Sequence, residues 1–285
     1  ANAQDLEPKA YSASPVGTAF VVTGLSRSTG GILFDPSLPI TDADAKINGF
    51  LLAAGYTFDL AGVTALVTAS TPYAWGDIAG KVFEQAAAVT RSGLGDSRLK
   101  LSVNLSGNPA MGAREFVRAP RKTIVGTSLT VAVPTGQYDP AKLLNLGANR
   151  WGFKPEVGVS VPAGHWDVDA YAGVWLYTSN DAAYPGEVKR AQQPLLAIQG
   201  HASYTFRPRL WVAVDATWYA GGSIRVDDGD PTERLNNSRI GATLSFPMGQ
   251  WQSLKFAYSN GVVVRTGTDF RTYSIGWQRV WFTKR

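Results

Sequence analysis

Arg98, Lys100, Arg150, Lys154, Arg239, Lys255 and Arg265 each sit in a stretch where apolar and polar residues alternate, on the polar side of that alternation. Glu156, Asp169 and Asp215 fall on the same side, so bases outnumber acids there. A wall carrying Arg and Lys favours anions in a water-filled passage. The competing reading is a filler network, with Lys154 beside Glu156 or Arg239 against Asp215, in a barrel narrow enough for long side chains to obstruct it. Tyr171, Trp175, Tyr177, Trp211 and Tyr219 share that face. Such rings can pack a wall or give an aromatic solute a surface to follow.

Other chemistry is sparsely provided for. His165 and His201 are the two histidines, and there is no cysteine. His201 has the inward parity of its stretch, and with a Ser or Asp from a neighbouring strand it would serve a barrel hydrolase. Hydrolases of that kind place their catalytic residues on the outer wall or at the rim, which argues against an enzyme. Two distant histidines leave only carboxylates for a metal. Asp42 with Asp44, and Asp227 with Asp228 and Asp230, lack the spacing of a calcium loop and read as solvated loops. No catalytic residue, metal or cofactor is expected.

The elements that must position these residues are strands. In Leu210–Tyr219, Leu210, Val212, Val214, Ala216 and Trp218 interleave with Trp211, Ala213, Asp215, Thr217 and Tyr219. A period of two over about ten residues matches one transmembrane β-strand. Twelve such segments can be drawn: Gly17–Ser26, Lys46–Asp59, Gly62–Ser70, Ser97–Ser106, Arg121–Val133, Arg150–Val161, Asp167–Thr178, Pro194–Phe206, Leu210–Tyr219, Arg239–Phe246, Ser253–Arg265 and Phe270–Phe282. The connections near Ala61, Pro162, Pro208 and Met248 are short. Most others are long, including those through Asp35-Pro36 and through Trp75, Gly76 and Gly80. Short periplasmic turns and long outer loops predict an all-β, closed antiparallel transmembrane barrel of twelve strands with both termini in the periplasm. Arg271 and Arg279 have lipid-facing parity and belong near the two interfaces, where long side chains snorkel.

Composition agrees. Hydrophobic residues make up 45% of the 285, charged residues 17% and aromatic residues 11%, with nine Trp. A soluble sandwich would also alternate, but its polar face calls for far more Lys and Glu. The net charge of +5 is dispersed, without the basic block of a nucleic-acid arm. The start, Ala1-Asn2-Ala3-Gln4, has no basic region followed by an apolar stretch, and the expected form is a mature chain with its signal peptide removed. Residues 1–15 precede the barrel, 16–285, as a periplasmic segment expected to enter and constrict the lumen. Pro155 lies inside a strand and marks a wall irregularity that would suit a lateral exit.

Several motifs carry a family resemblance. Pro134-Thr135-Gly136-Gln137-Tyr138-Asp139-Pro140 with Leu144-Asn145-Leu146-Gly147-Ala148-Asn149-Arg150-Trp151 resembles the signature of the outer-membrane channel family known as the MetA pathway of phenol degradation. So do Pro15-Val16-Gly17-Thr18, Asp35-Pro36-Ser37-Leu38-Pro39-Ile40, Tyr219-Ala220-Gly221-Gly222 and Asn237-Ser238-Arg239-Ile240-Gly241. Asn149, Arg150, Lys154 and Arg239 match pattern positions. The resemblance implies passive uptake linked to aromatic or hydrophobic compounds, without catalysis. The expected protein is a bacterial outer-membrane channel with a narrow, net-basic lumen for small polar or anionic solutes, including aromatic acids. The alternative is a hydrophobic-compound transporter with lateral exit into the membrane. Its expected partners are outer-membrane lipid, lipopolysaccharide and small solutes, with no nucleic acid, in a monomer or porin-type trimer.

Overall fold

A computed structural model describes residues 7–33, 40–82, 85–184, 186–264 and 267–283. Among them are β1 (Thr18–Leu33), β2 (Ile40–Leu60), β3 (Val63–Val82), β4 (Gln85–Leu94), β5 (Ser97–Ser106), α1 (Ala113–Phe116), β6 (Ile124–Val133), β7 (Gly152–Ala163) and β8 (Trp166–Tyr177). There follow β9 (Asn180–Ala183), β10 (Val188–Gln192), β11 (Leu195–Arg207), β12 (Leu210–Gly221), β13 (Ile224–Val226), β14 (Leu235–Met248), β15 (Gln252–Val263) and β16 (Gly267–Phe282). Twelve of these strands form the wall in the order β2-β1-β16-β15-β14-β12-β11-β8-β7-β6-β5-β3, and β3 pairs back onto β2 to close it. Every neighbouring pair is antiparallel. Closure leaves the wall without a free sheet edge, as hydrocarbon requires.

The alternation carries through. On β12, Val212, Val214 and Trp218 are exposed, while Trp211, Ala213, Asp215, Thr217 and Tyr219 are buried. Among the described residues no helix is long and apolar enough to cross a membrane; the crossing elements are strands. At the β2–β3 turn Ala61 and Gly62 both have positive φ, 52° and 87°, the geometry that matches a two-residue hairpin to strand twist. Asp59 fastens this turn by accepting the Gly62 N–H at 2.8 Å.

The first strands are longer than the sequence suggests. The stretch through Trp75, Gly76 and Gly80, expected as a loop, continues β3 and pairs with β2 on one side and β4 on the other. Gly76 permits close backbone approach here rather than a turn, since a Cβ on it would stand 2.2 Å from the Lys46 carbonyl oxygen. This ribbon rises beyond the apolar band, where alternation against lipid no longer marks a strand. Residues 34–39, including Asp35-Pro36, lie outside the described residues. A small sheet, β13-β10-β9, sits among the outer connections.

Candidate functional site

The barrel interior has two unlike walls. Against β6, β7 and β8 lies the segment that precedes β1. Tyr11 is 1% exposed, and its hydroxyl lies 3.0 Å from Ser128 Oγ and donates to Glu156 Oε1 at 3.1 Å. Its ring meets that of Tyr171 edge-on at 5.0 Å, and the Ala10 N–H donates to the Tyr171 hydroxyl at 3.1 Å. Two ion pairs add to this: Lys9 with Asp167 and Glu7 with Lys100, each at 2.5 Å. Lys100 holds the Glu7 carboxyl down to about 2, against the opposing effect of burial. Farther along, Asn108 Nδ2 donates to the Ser14 carbonyl, and the Val16 N–H donates to the Met111 carbonyl.

Behind this segment the wall is polar and closed. Lys154 pairs with Glu156 at 2.9 Å, both side chains nearly inaccessible. His201 is the ladder partner of Asp169 on β8 and of Asp215 on β12. Its Nδ1 lies 2.6 Å from Asp215 Oδ1, and Thr243 donates to the other oxygen of that carboxylate at 3.2 Å. Asp169 is 1% exposed with neither oxygen hydrogen-bonded.

Toward the outer end cations meet rings. Trp175 stacks on Tyr177 at 6.0 Å, with Lys154 5.7 Å and Arg98 5.9 Å from the Trp175 ring. Arg150, in the connection before β7, lies 4.3 Å over Tyr177 and donates to Gln192. Burial lowers the Arg150 guanidinium pKa to about 10. At the opposite, periplasmic end Lys9 and Lys255 are each 5.7 Å from the Trp211 ring.

The opposite wall, on β16, β1, β2 and β3, is built of small or neutral inward residues such as Gly24, Ser26, Gly49, Ala53 and Ser274. These are half-buried, and Leu51 on the same inward face is 40% exposed. Space in the interior therefore lies on this side.

The model of the family described as the MetA-pathway of phenol degradation matches residues 40–280. The chain belongs to that family. The crystal structure of an outer membrane channel from Pseudomonas putida F1 superposes with a TM-score of 0.81 at 20% identity, covering 97% of this chain and all (100%) of that one. The transport unit of the autotransporter AIDA-I from Escherichia coli gives 0.52 at 11% identity, covering 99% and 93%. Among curated proteins, none matches the chain. This MetA-pathway member is a bacterial outer-membrane β-barrel with the fold of that channel.

In the channel, Arg98, Lys100, Lys154, Glu156, Asp169, Tyr171, Trp175, His201, Trp211, Asp215, Arg239 and Lys255 all take the inward parity expected of them. Arg265 lies outside the described residues. Lys154 and Glu156 pair as the competing filler-network reading has it, but Arg239 and Asp215 do not. The β12–β14 register sets Asp215 opposite Gly241 and Arg239 opposite Thr217. Arg239 donates instead to Ser259 and to the Phe270 carbonyl. Pro155 points outward; the β7–β8 ladder skips Lys154 and Pro155 and resumes in unchanged register at Glu156–Gly173. Gly173 allows close contact there, since a Cβ would stand 3.0 Å from the Pro155 carbonyl oxygen. Asp167, Glu7 and Lys9 escaped the sequence reading. Asp167 could have been found by parity, because it precedes Asp169 on the same face. No group of three metal-ligating side chains occurs among the described residues.

Proposed function

We propose that the channel passes small polar or anionic solutes, aromatic acids among them, axially past a constriction formed by the segment before β1. The observation that carries this reading is the seating of Tyr11 against Ser128 and Glu156, which fills one side of the interior while the β16–β3 side stays accessible. The anion preference is modest. Lys9, Lys100 and Lys154 are matched by Asp167, Glu7 and Glu156, so it falls chiefly to Lys255.

A planar bilayer under a salt gradient tests this reading. Small conductance and a reversal potential of anion-selective sign are expected, and Lys255→Gln should reduce that potential. Cation selectivity would overturn the charge reading. Unchanged conductance and fluctuations after removal of residues 2–14 would overturn the constriction. The alternative, lateral exit of a hydrophobic solute, draws support from the ladder positions skipped at Pro155. The unchanged register on either side of that gap favours the axial route.

A further inference from the structure

The lipid-facing side of β1 carries an unusual set of charges. Arg27 stands beside Tyr273 on β16, and two residues farther up Thr29 is flanked by Arg271 on β16 and Lys46 on β2. Arg27, Lys46 and Arg271 are all exposed and lie on the outward parity. Nine residues separate Arg27 from Thr18 at the periplasmic edge. At about 3.3 Å per residue and a tilt of about 40°, that climb is about 23 Å, close to the full height of the apolar band. These cations therefore sit where hydrocarbon gives way to the headgroups of the outer leaflet.

Directly below and beside them the wall is grooved. Leu25, Arg27, Phe256, Tyr258, Tyr273 and Ile275 line a depression of about 510 Å³. Tyr258 is the ladder partner of Tyr273 and, on its other side, of Ala242, whose small side chain leaves the groove's far edge low. Tyr is at home at this depth, with its ring in the apolar layer and its hydroxyl in the polar one. Acids lie higher or to one side: Asp44 and Asp269 flank Gly31 in the next rank up, and Asp77 adjoins Lys46. Arg27 is thus the cation set farthest from a carboxylate, and Arg271 lies one rank below Asp269 on the same strand.

We propose that this face is a binding site for a phosphorylated saccharide lipid of the outer leaflet. Arg27 and Arg271 would grip a phosphate, Lys46 would support it from the rim, and an acyl chain would occupy the groove. Guanidinium groups match phosphate oxygens in bidentate fashion, and the groove supplies the apolar contact that a free anion would not use. The site is separate from the lumen, so it stands whatever the channel carries.

The test is native mass spectrometry of the detergent-solubilised full chain with diphosphoryl lipid A. Retention should fall about tenfold in the double variant Arg27→Ala/Arg271→Ala and remain unchanged in Arg279→Ala, at the periplasmic end of β16. With the wild-type chain, lipid A stripped of phosphate should bind about tenfold more weakly, an arm that needs no variant to fold. Equal retention of phosphorylated and dephosphorylated lipid, or by wild type and the double variant, would overturn the proposal. So would competition by inorganic pyrophosphate as effective as competition by lipid A, which would mark a plain anion site.

Discussion

Gly126 and Gly158 are ladder partners on β6 and β7, and the ring of Tyr11 lies over both. A Cβ on either glycine would come within 2.4 Å of that ring. The notch exists because two adjacent strands both omit a side chain at one height, and it gives the segment before β1 a defined seat. Gly126→Val should therefore unseat the segment while leaving the outer wall intact. Single-channel conductance is expected to rise, and trypsin should cleave after Lys9, whose ammonium is otherwise held by Asp167. Heat-modifiable migration would report the intact barrel. Wild-type conductance together with wild-type resistance to trypsin would refute the notch as the seat.

Lys154 has a second consequence, this time for stability. Lys154→Met leaves the Glu156 carboxylate buried with only the Tyr11 hydroxyl and Lys100, at 3.9 Å, to compensate it. Removing one partner of a buried pair costs about 3–5 kcal/mol. The urea midpoint of unfolding, read from the folded and unfolded gel bands, should fall accordingly, and adding Glu156→Gln should recover most of the loss. A midpoint unmoved by Lys154→Met would show that the pair is already compensated elsewhere.

Acid should release the segment late. Glu7 precedes the first strand, and its carboxyl is lowered from 4.5 to about 2 by Lys100. A depressed carboxylate contributes stability that is fully present above its unfolded pKa and is lost as pH falls through the folded one. Segment-dependent current fluctuations should therefore stay constant from pH 7 to about 5 and grow as pH falls toward about 2. Glu7→Gln should show the enlarged fluctuations at neutral pH. Growth that begins near pH 6 would assign the release to another group.

Pro155→Ala offers a direct choice between exits. Restoring the N–H lets β7 complete its ladder to β8 at the skipped positions. Under the axial reading, conductance and selectivity stay at wild-type values while resistance to urea rises slightly. Slower delivery of a hydrophobic solute into liposomal bilayers would instead favour the lateral route.

Much of this was legible because a lipid-facing strand has a strict period. Ser97–Ser106 has the same limits in sequence and structure, and the inward parity of His201, Asp215 and Lys154 follows from alternation alone. What alternation cannot supply is register. Arg239 and Asp215 are both inward and on adjacent strands, yet the pairing offsets them by two residues, and Asp215 meets His201 instead. The contacts of Glu7, Lys9 and Tyr11 were hidden for another reason. They belong to a stretch without period, whose partners on β5, β6, β7 and β8 are more than ninety residues away.

That same offset bears on how the wall assembles correctly. A slip of one residue turns a strand inside out and is rejected by lipid, but a slip of two keeps every apolar side chain outward. Hydrophobicity therefore cannot choose among even-numbered misalignments. The Asp169, His201 and Asp215 rank can, because moving β11 by two residues against β12 takes His201 from Asp215 and leaves that carboxylate buried without its imidazole. Buried polarity here acts as a proofreading mark for alignment. The chain has no native cysteine, so Ala202→Cys with Val214→Cys, ladder partners in the native wall, would report the correct alignment by cross-linking. In a His201→Leu background, Ala202→Cys should also capture Val212→Cys or Ala216→Cys. Exclusive capture of position 214 in that background would deny the rank this part in alignment.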